Sequence, residues 1–204
     1  IFEGIIENIE FPNKGIVWVN YGAANEPIRV IVKNGMPGQR VRFQINKKRK
    51  NRCEGRLLVV LEKSDMETKE AVCCEFPACG GCMYQTMAYE DQLAMKAGQV
   101  RELVEEALIR GGQVKADAPE QADYIFEGIQ ESPLQFGYRN KMEFSFGDAV
   151  KDGPLTLGLH KKGSTYDVLT TDDCKIVHED FTKILSCVLE YCREQKLSYY
   201  HKMS

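Results

Sequence analysis

The chain contains no apolar run approaching the roughly 18 residues that a membrane-spanning helix requires. Its longest runs, such as Leu57 to Leu61, suit a buried strand instead. The opening Ile1-Phe2-Glu3-Gly4 lacks the basic and apolar regions of a secretory signal, so the expected location is the cytoplasm and no membrane partner is expected. No internal repeat or low-complexity tract is present, which excludes a solenoid or a disordered tail as the main architecture. Among 17 glycines no two are spaced i, i+2, so no glycine-rich strand-to-helix turn for a nucleotide cofactor is available. Histidine is scarce, with three in all, and the lone His178 reads as a helix-start residue rather than a ligand.

Cysteine, by contrast, is abundant. Eight occur in 204 residues, and a reducing compartment makes disulfides a poor explanation for them. Cys73, Cys74, Cys79 and Cys82 fall within ten residues, the last two enclosing Gly80-Gly81. Closely spaced thiolates on a tight loop can present several sulfurs to one ion or cluster. The paired glycines let the backbone bend round the sulfurs and aim amide N–H groups at them. A fourth ligand has to come from elsewhere, and Cys174, in the loop Thr171-Asp-Asp-Cys-Lys175, is the best placed. Cys187 and Cys192 fall in a helical pattern and read as small hydrophobes, and Cys53 has no assigned role. Counted from Cys73 the spacing is C-x5-C-x2-C; counted from Cys74 it is C-x4-C-x2-C, the plant-type ferredoxin spacing. Spacing leaves both registers open, and leaves zinc open beside iron.

Charge divides the chain. Residues 1–62 carry 11 Lys and Arg against 6 Asp and Glu, and the remainder carries 16 against 24. A basic first module suggests a polyanionic partner. Its residues 15–20, 28–33, 41–46 and 55–62 read as short strands, with turns at Asn34-Gly35 and Pro37-Gly38. Four or five such strands in sixty residues fit a small barrel of the OB type. A polar stretch, 62–70, reads as a linker. Helical spacing of Leu93, Ala97, Val100, Val104, Ala107 and Leu108 predicts a helix over 88–110. Strands are predicted over 139–146, 155–160 and 165–170, then a helix over 179–196 with Phe181, Ile184, Leu185, Val188, Leu189 and Cys192 on one face. The expected fold class is α+β: an OB-like barrel over 1–63 and a cysteine-bearing α+β domain over 64–204.

The ordered motifs carry a family resemblance. Cys73-x5-Cys79-Gly-Gly-Cys82, Tyr84-Gln85, Tyr89-Glu90, Gln92-Leu93, Tyr138-Arg139-Asn140-Lys141, Gly158-Leu-His160 and Asp173-Cys174 resemble the iron–sulfur 23S rRNA (uracil-C5)-methyltransferases. Gly35-Met-Pro37-Gly38-Gln39-Arg40-Val41 and the basic run Lys47-Lys-Arg-Lys-Asn-Arg52 resemble the TRAM domain, the OB-like RNA-binding module of that family. The likeness covers nearly the whole chain, with Cys74 standing where the family usually has proline. It implies a [4Fe–4S] cluster on Cys73, Cys79, Cys82 and Cys174, with ribosomal RNA as partner. It also implies methyl transfer from S-adenosyl-L-methionine to uracil C5, in which a cysteine thiolate adds to C6 of an unstacked base and a carboxylate removes the C5 proton.

That chemistry belongs to a C-terminal Rossmann-like domain that these residues do not supply. The i, i+2 glycines are lacking, and none of the seven prolines is adjacent to another, so an Asp-Pro-Pro or Asn-Pro-Pro signature is lacking too. The chain is therefore expected to be the RNA-binding, cluster-bearing portion of the enzyme and not catalytic alone. Expected RNA contacts are Lys47, Lys48, Arg49, Lys50, Arg52, Tyr138, Arg139, Asn140, Lys141 and His160. If helix 88–110 packs on the methyltransferase domain, part of its apolar face would lack its cover here, favouring self-association or local disorder. Two other classes compete: an electron-transfer iron–sulfur protein, favoured by the x4 register, and a zinc-stabilised RNA-binding module. A radical methylthiotransferase would need C-x3-C-x2-C, which is not present.

Overall fold

β-branched residues at alternate positions explain the first sheet. In Val41-Arg-Phe-Gln-Ile, Val41 and Phe43 are fully buried while Arg42 and Gln44 are exposed. The computed structural model describes residues 1–20, 27–49, 52–115, 117 and 124–200, with the backbone alone at 47–49 and 52. Six strands form one curled sheet: β1 (Phe2–Ile5), β2 (Asn8–Glu10), β3 (Lys14–Val19), β4 (Ile28–Lys33), β5 (Arg40–Arg49) and β6 (Arg52–Glu62). Their order is β1-β5-β6-β4-β3-β2, antiparallel except where β4 runs parallel to β6. The curl brings β1 over β3, where a Cβ on Gly4 would lie 2.5 Å from a Val17 methyl. The core comprises Ile6, Ile9, Val17, Val19, Val30, Val32, Val41, Phe43 and Cys53. Cys53 is thus one of the packed core residues.

Contacts divide the chain into two compact units, residues 1–69 with 86–131, and residues 70–85 with 132–204. In the first, the stretch expected as a linker is pinned by a polar network. Glu67 accepts from Gln39 Nε2 at 2.8 Å and from Thr86 Oγ1 at 3.1 Å, and Gln39 Oε1 accepts from the Met36 amide at 2.9 Å. Gln39 is buried, so the carboxylate serves as the acceptor its amide needs.

The helix α1 (Tyr89–Arg110) covers the predicted span, and its apolar positions are left half-buried or exposed. Val100 is 42% exposed and none of the six predicted apolar positions is buried. Contact with the sheet is made by Met95, packed against the core, and by Gln99, whose Nε2 donates to the Ile9 carbonyl at 2.7 Å. That bond satisfies a carbonyl of the short strand β2, which explains why the helix's one buried residue is polar.

In the second unit β7 (Ser145–Asp148), β8 (Leu155–His160) and β9 (Val168–Thr170) form an antiparallel sheet in that order. The helix α2 (Glu179–Glu194) packs Leu185 and Leu189 on Leu157, and His178 caps it by accepting from the Asp180 amide. Among the described residues no helix is long and apolar enough to cross a membrane.

The strand predicted over 139–146 is reduced to β7. Residues 139–144 alternate as a strand would, yet the amides of Gly137 and Arg139 donate to the Lys175 and Ile176 carbonyls at 2.9 Å. The segment therefore runs beside the chain that follows Cys174, forming a single parallel bridge between Arg139 and Val177. β9 is also shorter than predicted, because the Ser164 hydroxyl accepts from the Tyr166 and Asp167 amides and closes the hairpin as a turn.

Candidate functional site

The loop 73–82 is fixed by backbone hydrogen bonds that turn Cys79 into the interior. Gly80 donates its amide to the His160 carbonyl at 2.9 Å, Lys162 donates to the Ala78 carbonyl at 2.7 Å, and Cys79 bridges to Lys161. The loop thus lies against the β8–β9 turn. A side chain at 80 would meet His160 O at 3.0 Å, and one at 81 would meet Leu159 at 2.8 Å. The glycines are needed for this close approach. On the upstream side, Gln85 Oε1 accepts from the Cys73 amide at 3.1 Å.

One narrow cavity, about 20 Å³, lies among these groups. Cys73, Cys74, Cys79, Cys82 and Cys174 all line it, with Phe76, Leu159 and Thr171 among its other walls.

 Cys79 is buried, Cys73, Cys82 and Cys174 are half-buried, and Cys74 is exposed. Cys79 interacts electrostatically with Cys82, Cys73 and Cys174, whereas Cys74 acts on Cys73 alone of the two. Four of the predicted cysteines are therefore brought together from two distant parts of the chain. Among the described residues no three His, Cys, Asp or Glu side chains stand close enough to hold a single metal ion as they are placed.

Burial pushes the Cys73 and Cys79 thiols up, and the neighbouring sulfurs push the same way. Backbone amides oppose the shift: those of Glu75 and Phe76 at Cys73, and that of Gly81 at Cys79, 3.3 Å from the sulfur. The arrangement disfavours free thiolates and supplies N–H donors for bound ones. Lys162 lies over the Phe76 ring, its Nζ 5.2 Å from the centroid. Burial lowers its pKa, and the charges of Cys79 and Cys82 act in the opposite direction. Lys175 is paired with Asp173 beside the pocket.

A second, open cleft of about 330 Å³ shares Gly81 and Leu159 with the cysteine loop and is lined by Arg139, Lys141, Met142 and Glu143. Lys141 and Glu143 pair across it at 3.1 Å. Tyr138, Arg139, Asn140 and Lys141 are all exposed, as is His160, whose carbonyl serves the loop. The other predicted RNA contacts lie in the first unit. Lys47, Lys48 and Arg49 end β5, and Arg52 opens β6 opposite Arg49, so they are strand residues rather than a loop. Lys50 lies outside the described residues. The two basic groups thus belong to different units. Spacing could not reveal Gln85, Phe76, Leu159 or Lys162 as neighbours of the cysteines, because the β8–β9 turn alone brings the last two there.

Comparison with known proteins adds a second line. No family model matches the chain. It is 41% identical over 204 residues, its whole length, to 40% of a protein described as an uncharacterized RNA methyltransferase of Clostridium tetani. It is 41% identical over 197 residues to 39% of another from Caldanaerobacter subterraneus, and 30% identical over 173 residues to 34% of one from Bacillus cereus. The chain spans about 40% of the length of the first two of these curated relatives. Its fold is similar to that of the Pyrococcus abyssi tRNA (uracil-54, C5)-methyltransferase, solved with S-adenosyl-L-homocysteine. There the TM-score is 0.53 and the identity 18%, over 97% of this chain and 38% of that one.

Proposed function

We propose that this chain is the RNA-binding and [4Fe–4S]-bearing portion of an S-adenosyl-L-methionine-dependent 23S rRNA uracil-C5 methyltransferase, with methyl transfer carried out by a domain beyond these residues. The observation that carries the reading is the convergence of Cys73, Cys79, Cys82 and Cys174 on one cavity, in a chain similar throughout its length to part of proteins described as RNA methyltransferases. The donor set suits the group. Four thiols with backbone amides directed at two of them match what a cluster asks of its loop. A cluster is wider than one ion, and the half-buried Cys73, Cys82 and Cys174 are side chains with χ1 freedom to open the cavity.

With four cysteine ligands and no open iron position, a bound cluster would act as a brace or an electron store. The chain's own residues do the rest. The loop ties the cysteine segment to the β8–β9 turn, and the adjoining cleft offers Arg139 and Lys141 to a phosphate. In the first unit, the ends of β5 and β6 offer Lys47, Lys48, Arg49 and Arg52, with Lys50 between them. TRAM-like binding of RNA by this sheet fits its curled, OB-like form. The test is methyl transfer by the full-length enzyme from labelled S-adenosyl-L-methionine to purified 23S rRNA and to tRNA. The expected product is 5-methyluridine in 23S rRNA; label confined to tRNA would overturn the rRNA assignment.

A further inference from the structure

Thr171 is 3% exposed and stands at the wall of the cysteine cavity, three residues before Cys174. Its Oγ1 is shut off from solvent and has no hydrogen-bond partner among the described residues. Every other buried side-chain oxygen or nitrogen in the described set is satisfied by that same criterion. A buried hydroxyl left without a partner is destabilising. The backbone here has little room to relieve it. Gly158 of β8 lies so close that an added Cβ would sit 2.8 Å from Thr171 Oγ1 and 2.7 Å from its amide nitrogen. The side chain is therefore held against β8, in a residue that also lines the sulfur-rich cavity. A hydroxyl can donate to an inorganic sulfide brought into the cavity, since its hydrogen is free to rotate toward a new acceptor.

We propose that Thr171 is a positioning residue for the sulfur-bound group, its hydroxyl donating a hydrogen bond to an inorganic sulfide of the cluster. The inference rests on the cluster reading above. A donor at sulfur stabilises the more negative, reduced state and so raises the reduction potential. It also ties the segment 171–174 to the cluster from its own strand end. The orphaned hydroxyl is then a cost of the empty protein that the loaded protein recovers.

The experiment compares wild type, Thr171→Val and Thr171→Ser, each reconstituted anaerobically with ferrous iron and sulfide. Valine keeps the shape and removes the donor; serine keeps the donor. At a fixed ambient potential, Thr171→Val is expected to lower the ratio of reduced to oxidised cluster about tenfold, a shift of about 59 mV for a one-electron couple, and Thr171→Ser to hold close to wild type. Without iron, Thr171→Val is expected to melt at or above the wild-type temperature, the reverse of its effect on the loaded chain. If Thr171→Val fails to load while Thr171→Ser loads, the donor is supported. Failure of both to load, or an unchanged ratio in Thr171→Val, overturns the role of the hydroxyl. A wild-type chain that takes up no iron–sulfur cluster overturns the cluster reading, and this inference with it.

Discussion

The curled sheet and the cysteine unit are built on opposite principles. In the first, Ile6, Val17, Val30, Val32, Val41 and Phe43 are all completely buried, and the strands close over them around a large apolar core. In the second, the apolar core around α2 is small, with Leu157, Leu185 and Leu189 at its centre, and the cysteine loop is held mainly by backbone hydrogen bonds to the β8–β9 turn. The contrast teaches where each unit's stability comes from. The sheet carries its own, while the loop leaves buried thiols and an orphaned hydroxyl that a bound group would satisfy.

The largest effect that would break this contrast is loss of a ligand. Cys79→Ser is expected to abolish cluster uptake and to lower the melting of the second unit, while hydrogen exchange of β3–β6 stays as in wild type. Equal loss of protection in both units would show that they are not independent in this way. Next in size is Phe43→Ala, expected to cost the sheet about 3–5 kcal/mol by the cavity it leaves. Denaturant unfolding checks this, and iron uptake should be retained. Gln99→Leu leaves the Ile9 carbonyl without its partner and is expected to cost about 1–3 kcal/mol in the same assay.

The smallest effect concerns pH. Hydrogen bonds from Arg42 and then Arg40 hold the Glu3 carboxyl below its ordinary value of 4.5. A depressed carboxylate adds stability above the unfolded value and loses it as pH falls through the folded one. The exposed network should therefore contribute its small stabilisation above pH 4.5 and lose it as the pH falls below that value. Glu3→Gln is expected to lower stability slightly at neutral pH and to converge with wild type in acid, flattening the acid limb, as thermal melts from neutral to acid pH would show.

Much of this was legible in the sequence, for identifiable reasons. Ile28–Lys33 and Leu155–His160 were read at their observed bounds because dense branched or apolar residues leave few alternatives. The cysteine convergence was legible because sulfur is chemically distinctive and needs a distant fourth partner. β1 and β2 were missed, being four and three residues long with Gly4 interrupting the first. The span of α1 was legible from its apolar spacing, but its contact with the sheet was not, because that contact is made in part by the amide of Gln99. Residues 139–144 alternate like a strand, but their first hydrogen bond goes to the segment after Cys174, a tertiary choice that no local pattern encodes. Thr171 was invisible for the same reason: its importance lies in what its hydroxyl lacks.

The central claim is that four particular cysteines hold one iron–sulfur group, and its most direct measurement is iron and acid-labile sulfide per chain in anaerobically reconstituted Cys73→Ser and Cys74→Ser variants beside wild type. The account predicts about four of each in wild type and in Cys74→Ser, with loss in Cys73→Ser. Stoichiometric zinc without labile sulfide, or loss in Cys74→Ser with retention in Cys73→Ser, would contradict it.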